Sequence, residues 1–167
     1  LFNRSILINP DGDIISIYDK IHMFDITLKN GESYKESDFY SPGSELKITK
    51  VLGHSVGHTI CYDLRYPKLY RALAKKGSQI IVVPSAFTHT TGKAHWHSLI
   101  KARAIENGVF ILAPNQWGVN NEKRVTYGHT LIVDPWGETL AEAEDGEMII
   151  AAELDLNRVR ELSLIHI

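Results

Sequence analysis

Two short, unbroken apolar runs constrain this chain more than any other feature: "IIVV" at residues 80–83 and "VFILA" at 109–113. Each is bounded by turn residues and has the length of a single strand, so each reads as a strand buried on both faces. Between them lies "GKAHWHSLIKARAIENG", which places Trp96, Leu99, Ile100 and Ile105 on one helical stripe and ends at Gly108. Upstream, "VGHTICY" reads as a third strand. It is followed by the helix "YPKLYRALAKKG", opened by Pro67, with Leu69, Tyr70 and Leu73 at helical spacing and Gly77 as its stop. Strand, helix, strand, helix, strand at these lengths predicts a parallel sheet joined by right-handed crossovers. The fold class is therefore α/β.

Hairpins flank that unit. "SILINP" and "DIISIYDK" meet at Pro10-Asp11-Gly12, and "LKITKV" turns into "VGHTICY" through a connection spanning Gly53 to Gly57. Residues 24–45 are rich in Gly, Ser, Lys and Glu without periodicity, and predict a long loop of the kind that carries function. The stretch "GHTLIVDPWGETLAEAEDGEMIIAAELD" predicts three more strands. Both ends read as cut. The chain opens at Leu1, and "LSLIHI" matches one translation of a sequencing-library transposon end. The expected organisation is one partial domain over 1–161 and an adapter scar over 162–167, a point the underlying codons would test.

Charge narrows the function classes. The formal net charge is −2 and Lys and Arg are scattered, so neither nucleic acid nor an anionic membrane is an expected partner. No apolar run approaches the roughly 20 residues that span a bilayer. One cysteine excludes an internal disulfide and suits a reducing, cytoplasmic setting.

Two nucleophiles stand six residues apart in "VLGHSVGHTICYDLRYP". Ser55 sits in a G-x-S-x-G pattern, but a serine elbow needs a helix directly after the serine, and here another strand follows. Its bland reading is a Gly-rich hairpin turn. Cys61 ends an apolar strand and precedes a helix, which places a side chain at the carboxyl edge of the sheet, where α/β proteins build sites. A lone cysteine is commonly a small buried hydrophobe. Tyr62, Asp63 and Arg65 are poor company for one, and Asp63 with Arg65 is expected to form a support pair behind the bend. A nearby helix N-terminus or lysine would favour the thiolate. Thiol acyl transfer also needs a base, and His54, His58, His89, His95, His97 and His129 are all available, none marked out by position. The pair in "KAHWHS" points to different sides of a helix, and no metal-ligand motif is present, so no metal is expected.

"YDKIHMFD", "GESYKES", "GHTICYDLRYPKLYRALA", "PSAFTHTTGKAHWHSLIKARAIENG" and "YGHTLIVDPWGE", in this order, closely resemble the carbon–nitrogen hydrolase, or nitrilase, superfamily, from Tyr18 to about Arg160. "PSAF", "GKAHW", "RAIE" and "EKRVTYGH" are most similar to its Nit amidase branch. The resemblance implies a four-layer α-β-β-α sandwich of the nitrilase type with its N-terminal part missing. It also implies hydrolysis of a small ω-amide, such as deaminated glutathione or a 2-oxo acid ω-amide, with a thioester intermediate and ammonia release. By motif the nucleophile falls on Cys61, the lysine on Lys20 and a second glutamate on Glu36. The backbone N–H of Tyr62 is expected at the oxyanion, and Ser85, Ala86 and Phe87 are expected to line the substrate cleft. The family's general-base glutamate lies ahead of "YDK", so the chain as it stands is expected to be inactive. No cofactor is implied, and a homodimer is expected of the full-length protein, with the helix from Pro67 and the following strand contributing. Two alternatives stay open: nitrile hydrolysis, carbamoyl hydrolysis or acyl transfer on the same thiol, and a catalytically dead homologue acting as a binding module. An expressed 1–160 piece is expected to expose apolar surface and to be poorly soluble.

Overall fold

In the computed structural model of the chain, residues 1–27, 31, 33–121 and 124–163 are described. The N-terminal hairpin forms as its sequence predicts, β1 (Arg4–Ile8) antiparallel to β2 (Ile14–Asp19) around the Asn9–Asp13 turn. Within the expected long loop a smaller hairpin forms, β3 (Asp25–Thr27) with β4 (Ser33–Lys35), leading into a 3-10 turn over Glu36–Asp38. The loop is therefore built rather than structureless. Its residues 28–30 and 32 lie outside the described residues.

Next come β5 (Ile48–Val51) and β6 (His54–His58). Val51 faces His54, so only Leu52 and Gly53 turn, with φ of 49° and 83°. Two successive positive φ values are what a two-residue hairpin loop demands. Ser55 therefore lies inside a strand and not in the turn expected for it.

The helices α1 (Pro67–Lys75) and α2 (His89–Asn107) alternate with β7 (Ile80–Val82) and β8 (Phe110–Ala113). Strands β6, β7 and β8 pair in parallel, as predicted. Beyond them β9 (Trp117–Asn121) and β10 (Arg124–Tyr127) make a separate hairpin that the sequence reading missed. Then β11 (Leu131–Val133) and β12 (Thr139–Glu142) complete the main sheet, in the order β12-β11-β8-β7-β6-β5. The third strand expected near 148–154 makes no ladder with any described strand, and Ile149 stands 97% exposed. The helix α3 (Asn157–Ser163) closes the described chain, with Arg158 paired to buried Asp134 at the β11–β12 turn. Residues 164–167 of the supposed scar lie outside the described residues.

The core fills the space between the two helices and one face of this sheet. Gly57, Ile81, Ile111 and Val133 share a row, and all but the glycine carry side chains with no exposure. On the alternate face Phe110 is buried but Ile80, Val82, Leu112 and Ile132 are only half-buried, so the expectation of strands buried on both faces holds fully for one face and in part for the other. Helical arithmetic corrects α2. Trp96, Ile100 and Ala104 are fully buried, but Ile105 is 43% exposed. Nine residues at 100° each bring Ile105 to the side opposite Trp96. Arg103 takes the buried position instead, donating to the Leu64 carbonyl at 2.9 Å and to Glu106 at 3.0 Å. That arginine fastens α2 to the bend that carries Cys61. Among the described residues no helix is long and apolar enough to cross a membrane.

Candidate active site

Beyond the carboxyl end of β6 the chain turns sharply. Ile60 is extended, Cys61 takes a φ of 48°, and a 3-10 turn over Cys61–Arg65 runs into α1. A non-glycine residue in the left-handed region costs about 1 kcal/mol or more, so its surroundings must hold it there. The Cys61 amide donates to Pro84 O at 3.0 Å. Asp63, with no exposure, accepts from the Ile60 amide at 2.9 Å and from the Tyr18 hydroxyl at 2.7 Å. Its other oxygen takes the His22 amide at 3.0 Å and meets His22 Nδ1 at 2.7 Å. One buried carboxylate thus ties the bend to the segment that delivers Lys20. Arg65 takes no part in this. It points to His95 and lies over the Phe87 ring, so the expected Asp63–Arg65 pair does not form.

Lys20 follows β2 and is 2% exposed. Its ammonium donates to Glu36 Oε2. Glu36 also accepts from Asn3 Nδ2 at 2.9 Å and from the Phe24 amide at 2.7 Å. Burial opposes ionisation of this carboxyl, but the hydrogen bonds from Lys20, Asn3 and Phe24 prevail and hold it below the usual range. Glu36 is therefore a fixed anion with its oxygens already engaged.

Cys61, Lys20 and Glu36 line one cleft of about 770 Å³, together with Tyr62, Ser85, Ala86 and Phe87. Burial pushes the Cys61 thiol above its ordinary range, outweighing the pull of Lys20, of an Ala86 amide hydrogen bond and of Arg124. This reverses the expectation of a resting thiolate. The sulfur is a thiol that needs a base. No histidine lines the cleft among the described residues, and Glu36 is the one described carboxylate that does. His58 is buried beside Thr49, and His95 bonds Arg65.

The pocket residues divide. The Ala86 amide reaches the sulfur. The Ser85 hydroxyl turns back to Val83 O at 2.9 Å. Phe87 is both wall and core, tilted against Trp96 at 4.8 Å. Tyr62 meets the Phe24 ring edge-on at 5.0 Å. Four contributors escaped the sequence reading: Asn3, Phe24, Arg65 as a lining residue, and Arg124 on β10. The lining cations Arg4, Lys20, Lys35, Arg65 and Arg124 outnumber the single lining carboxylate.

The sequence profile of the carbon–nitrogen hydrolase family matches residues 1–163. The probable hydrolase nit2 of Schizosaccharomyces pombe is 45% identical over 164 residues, covering 95% of this chain and 59% of that protein. The deaminated glutathione amidase of Synechocystis is 40% identical, covering 96% of this chain and 60% of its own length. The crystal structure of Saccharomyces cerevisiae Nit3, a member of branch 10 of the nitrilase superfamily, superimposes with a TM-score of 0.86 at 35% identity. It covers 98% of this chain and 57% of the yeast chain. The chain thus spans about 60% of the length of these two curated relatives.

Proposed function

Because the chain belongs to the carbon–nitrogen hydrolase family, we propose that the protein containing it hydrolyses a small anionic ω-amide with Cys61 as nucleophile. The observation that carries this reading is the single cleft shared by Cys61, Lys20 and Glu36. In the proposed reaction the sulfur attacks the amide carbonyl as the thiol proton passes to a base. The tetrahedral oxyanion is met by the Lys20 ammonium and the Tyr62 backbone N–H. The C–N bond breaks, ammonia leaves with the proton returned by the base, and a thioester remains on Cys61. Water activated by the same base then releases the carboxylic acid and restores the thiol.

Glu36 is a poor candidate for that base. Its oxygens accept from Lys20, Asn3 and Phe24, and its affinity for protons is lowered. Its role is to hold Lys20 in place. The resemblance assigns the base to a glutamate ahead of the "YDK" segment, so residues 1–167 alone are expected to be inactive. Arg4, Lys20 and Lys35 are paired with Asp19, Glu36 and Asp38, but Arg65 and Arg124 also line the cleft, and these two cations favour a substrate whose far end carries carboxylate, as 2-oxo acid ω-amides do and as deaminated glutathione does. In the full-length protein, Cys61→Ala should abolish ammonia release from such an amide while circular dichroism stays unchanged. Undiminished turnover would reject the assignment. A substrate panel showing faster turnover of a nitrile or a carbamoyl compound would move the reaction within the family.

A further inference from the structure

A second cluster of titratable side chains lies away from the cleft. His97 Nε2 and His129 Nδ1 both hydrogen-bond Glu142 Oε1, each at 2.8 Å. One possible ligand atom from each of the three residues lies within 4.8 Å of the other two. None of the three residues lines the cleft around Cys61. The helical pair His95 and His97 does diverge, as helical geometry requires: His95 faces Arg65 and His97 faces Glu142. The partners of His97 come instead from elsewhere in the chain. His129 sits just before β11, and Glu142 lies at the end of β12, opposite Leu131 in the ladder.

The surroundings fix these side chains. His129 has a φ of 56° directly after Gly128 at 73°, a backbone course that aims its ring. Its carbonyl accepts from the indole N–H of fully buried Trp96 at 2.7 Å. The His129 ring stacks on Tyr127, with centroids 4.4 Å apart, and His97 meets both rings edge-on at 6.0 and 5.4 Å. Tyr127 packs directly on α2 at Gly92, where an added Cβ would lie 2.3 Å from the Tyr127 Cβ.

Two imidazole nitrogens and one carboxylate oxygen, with the rest of the sphere open to water, form a donor set suited to zinc and its neighbours. Calcium and magnesium call for oxygen ligands. Donor atoms around a tetrahedral zinc stand about 3.3 Å apart, so an ion is admitted once the bridging N–H protons leave, the two 2.8 Å contacts spread by about half an ångström and the two rings turn toward a common centre from within 4.8 Å. Side chains 34%, 28% and 36% exposed for His97, His129 and Glu142 let an ion enter from solvent. We propose that His97, His129 and Glu142 bind a divalent transition-metal ion of the zinc type, which tethers α2 to the β11–β12 hairpin.

The test is a zinc titration of the tag-free full-length protein against a chromophoric chelator, with Cys61→Ala, His129→Ala and Glu142→Gln in parallel. One zinc should bind per chain both in the unmodified protein and in Cys61→Ala, and at least about tenfold more weakly in the other two. Zinc at about 100 times its Kd should also raise the Tm by about 5 °C, and at the same zinc concentration this shift should fall by about half or more in His129→Ala. Equal affinity in His129→Ala would overturn the proposal, as would loss of the site in Cys61→Ala. So would variants that lower the Tm by the same amount with and without zinc, which would make the trio a hydrogen-bonded clamp only.

Discussion

Two ion pairs begin at adjacent residues and differ sharply in burial. Asp19 meets Arg4 across the β1–β2 ladder through hydrogen bonds of 2.6 and 2.9 Å, with side chains 24% and 40% exposed. Lys20, the next residue, is 2% exposed and meets Glu36 inside the cleft. Consecutive side chains of an extended strand leave on opposite faces, so one step along the chain separates water from the site. In water an ion pair adds little, because solvent already serves both charges. In the cleft the two charges depend on each other, and removing one leaves the other buried without its counterpart. The same chemistry thus decorates a hairpin at Asp19 and orders the proposed catalytic lysine at Lys20.

Breaking the buried pair should have the largest effect. Lys20→Met in the full-length protein should cut kcat/KM for an ω-amide by about a thousandfold or more and lower stability by about 3 kcal/mol, read by steady-state kinetics and urea melts. Activity within tenfold of the unmodified protein would remove Lys20 from the reaction. Glu36→Gln keeps the shape but loses the charge, and should cost about a hundredfold in kcat. Its pH signature follows from the lowered carboxyl. Glu36 stabilises the fold above its unfolded value of 4.5 and loses that contribution as pH falls through its lower folded value. The Tm gap between the unmodified protein and Glu36→Gln should therefore be constant near neutrality and shrink in acid below 4.5. A gap that widened in acid would contradict the assignment.

Asp63→Asn comes next. It leaves the Tyr18, His22 and Ile60 donors with one acceptor oxygen in place of two and should cost about 2 kcal/mol by chemical melts. The thiol offers a gentler probe. Alkylation of Cys61 by iodoacetamide should show a midpoint above the ordinary thiol value of 9.0, since burial outweighs Lys20. A midpoint near 7 would mean a resting thiolate. Smallest of all, Asp19→Asn should leave the Tm unchanged within error at physiological salt. A loss comparable to that of Lys20→Met would erase the distinction between the two pairs.

The sequence reading succeeded where contacts are local and fell short where they are distant. The runs at 80–83 and 109–113, Pro67 at the start of α1 and the turn at Gly108 were legible, because strand length, proline and glycine act within a few residues. Motif resemblance brought Lys20, Glu36 and Cys61 to one cleft. What stayed hidden has long reach: Asp63 holds His22 from 41 residues away and Tyr18 from 45. Arg124 enters the cleft on a hairpin whose alternation is too weak to read. The stripe through Ile105 failed by arithmetic rather than by principle, since nine residues place it opposite Trp96. His97, His129 and Glu142 carry no motif at all, and only the fold of β11 against β12 assembles them.

Ile6, Ile8, Ile14, Ile15 and Ile17 on β1 and β2 are exposed, and we propose that this apolar surface makes an isolated 1–160 piece poorly soluble. A monodisperse product that melts cooperatively would refute it.

The proposed reaction passes through a covalent bond at one sulfur. Full-length protein quenched in acid during turnover of an ω-amide, then digested and weighed by mass spectrometry, should carry the substrate's acyl group, the amide less ammonia, on the peptide containing Cys61. Steady turnover with that peptide unmodified, or with the acyl group on Ser55 instead, would contradict it.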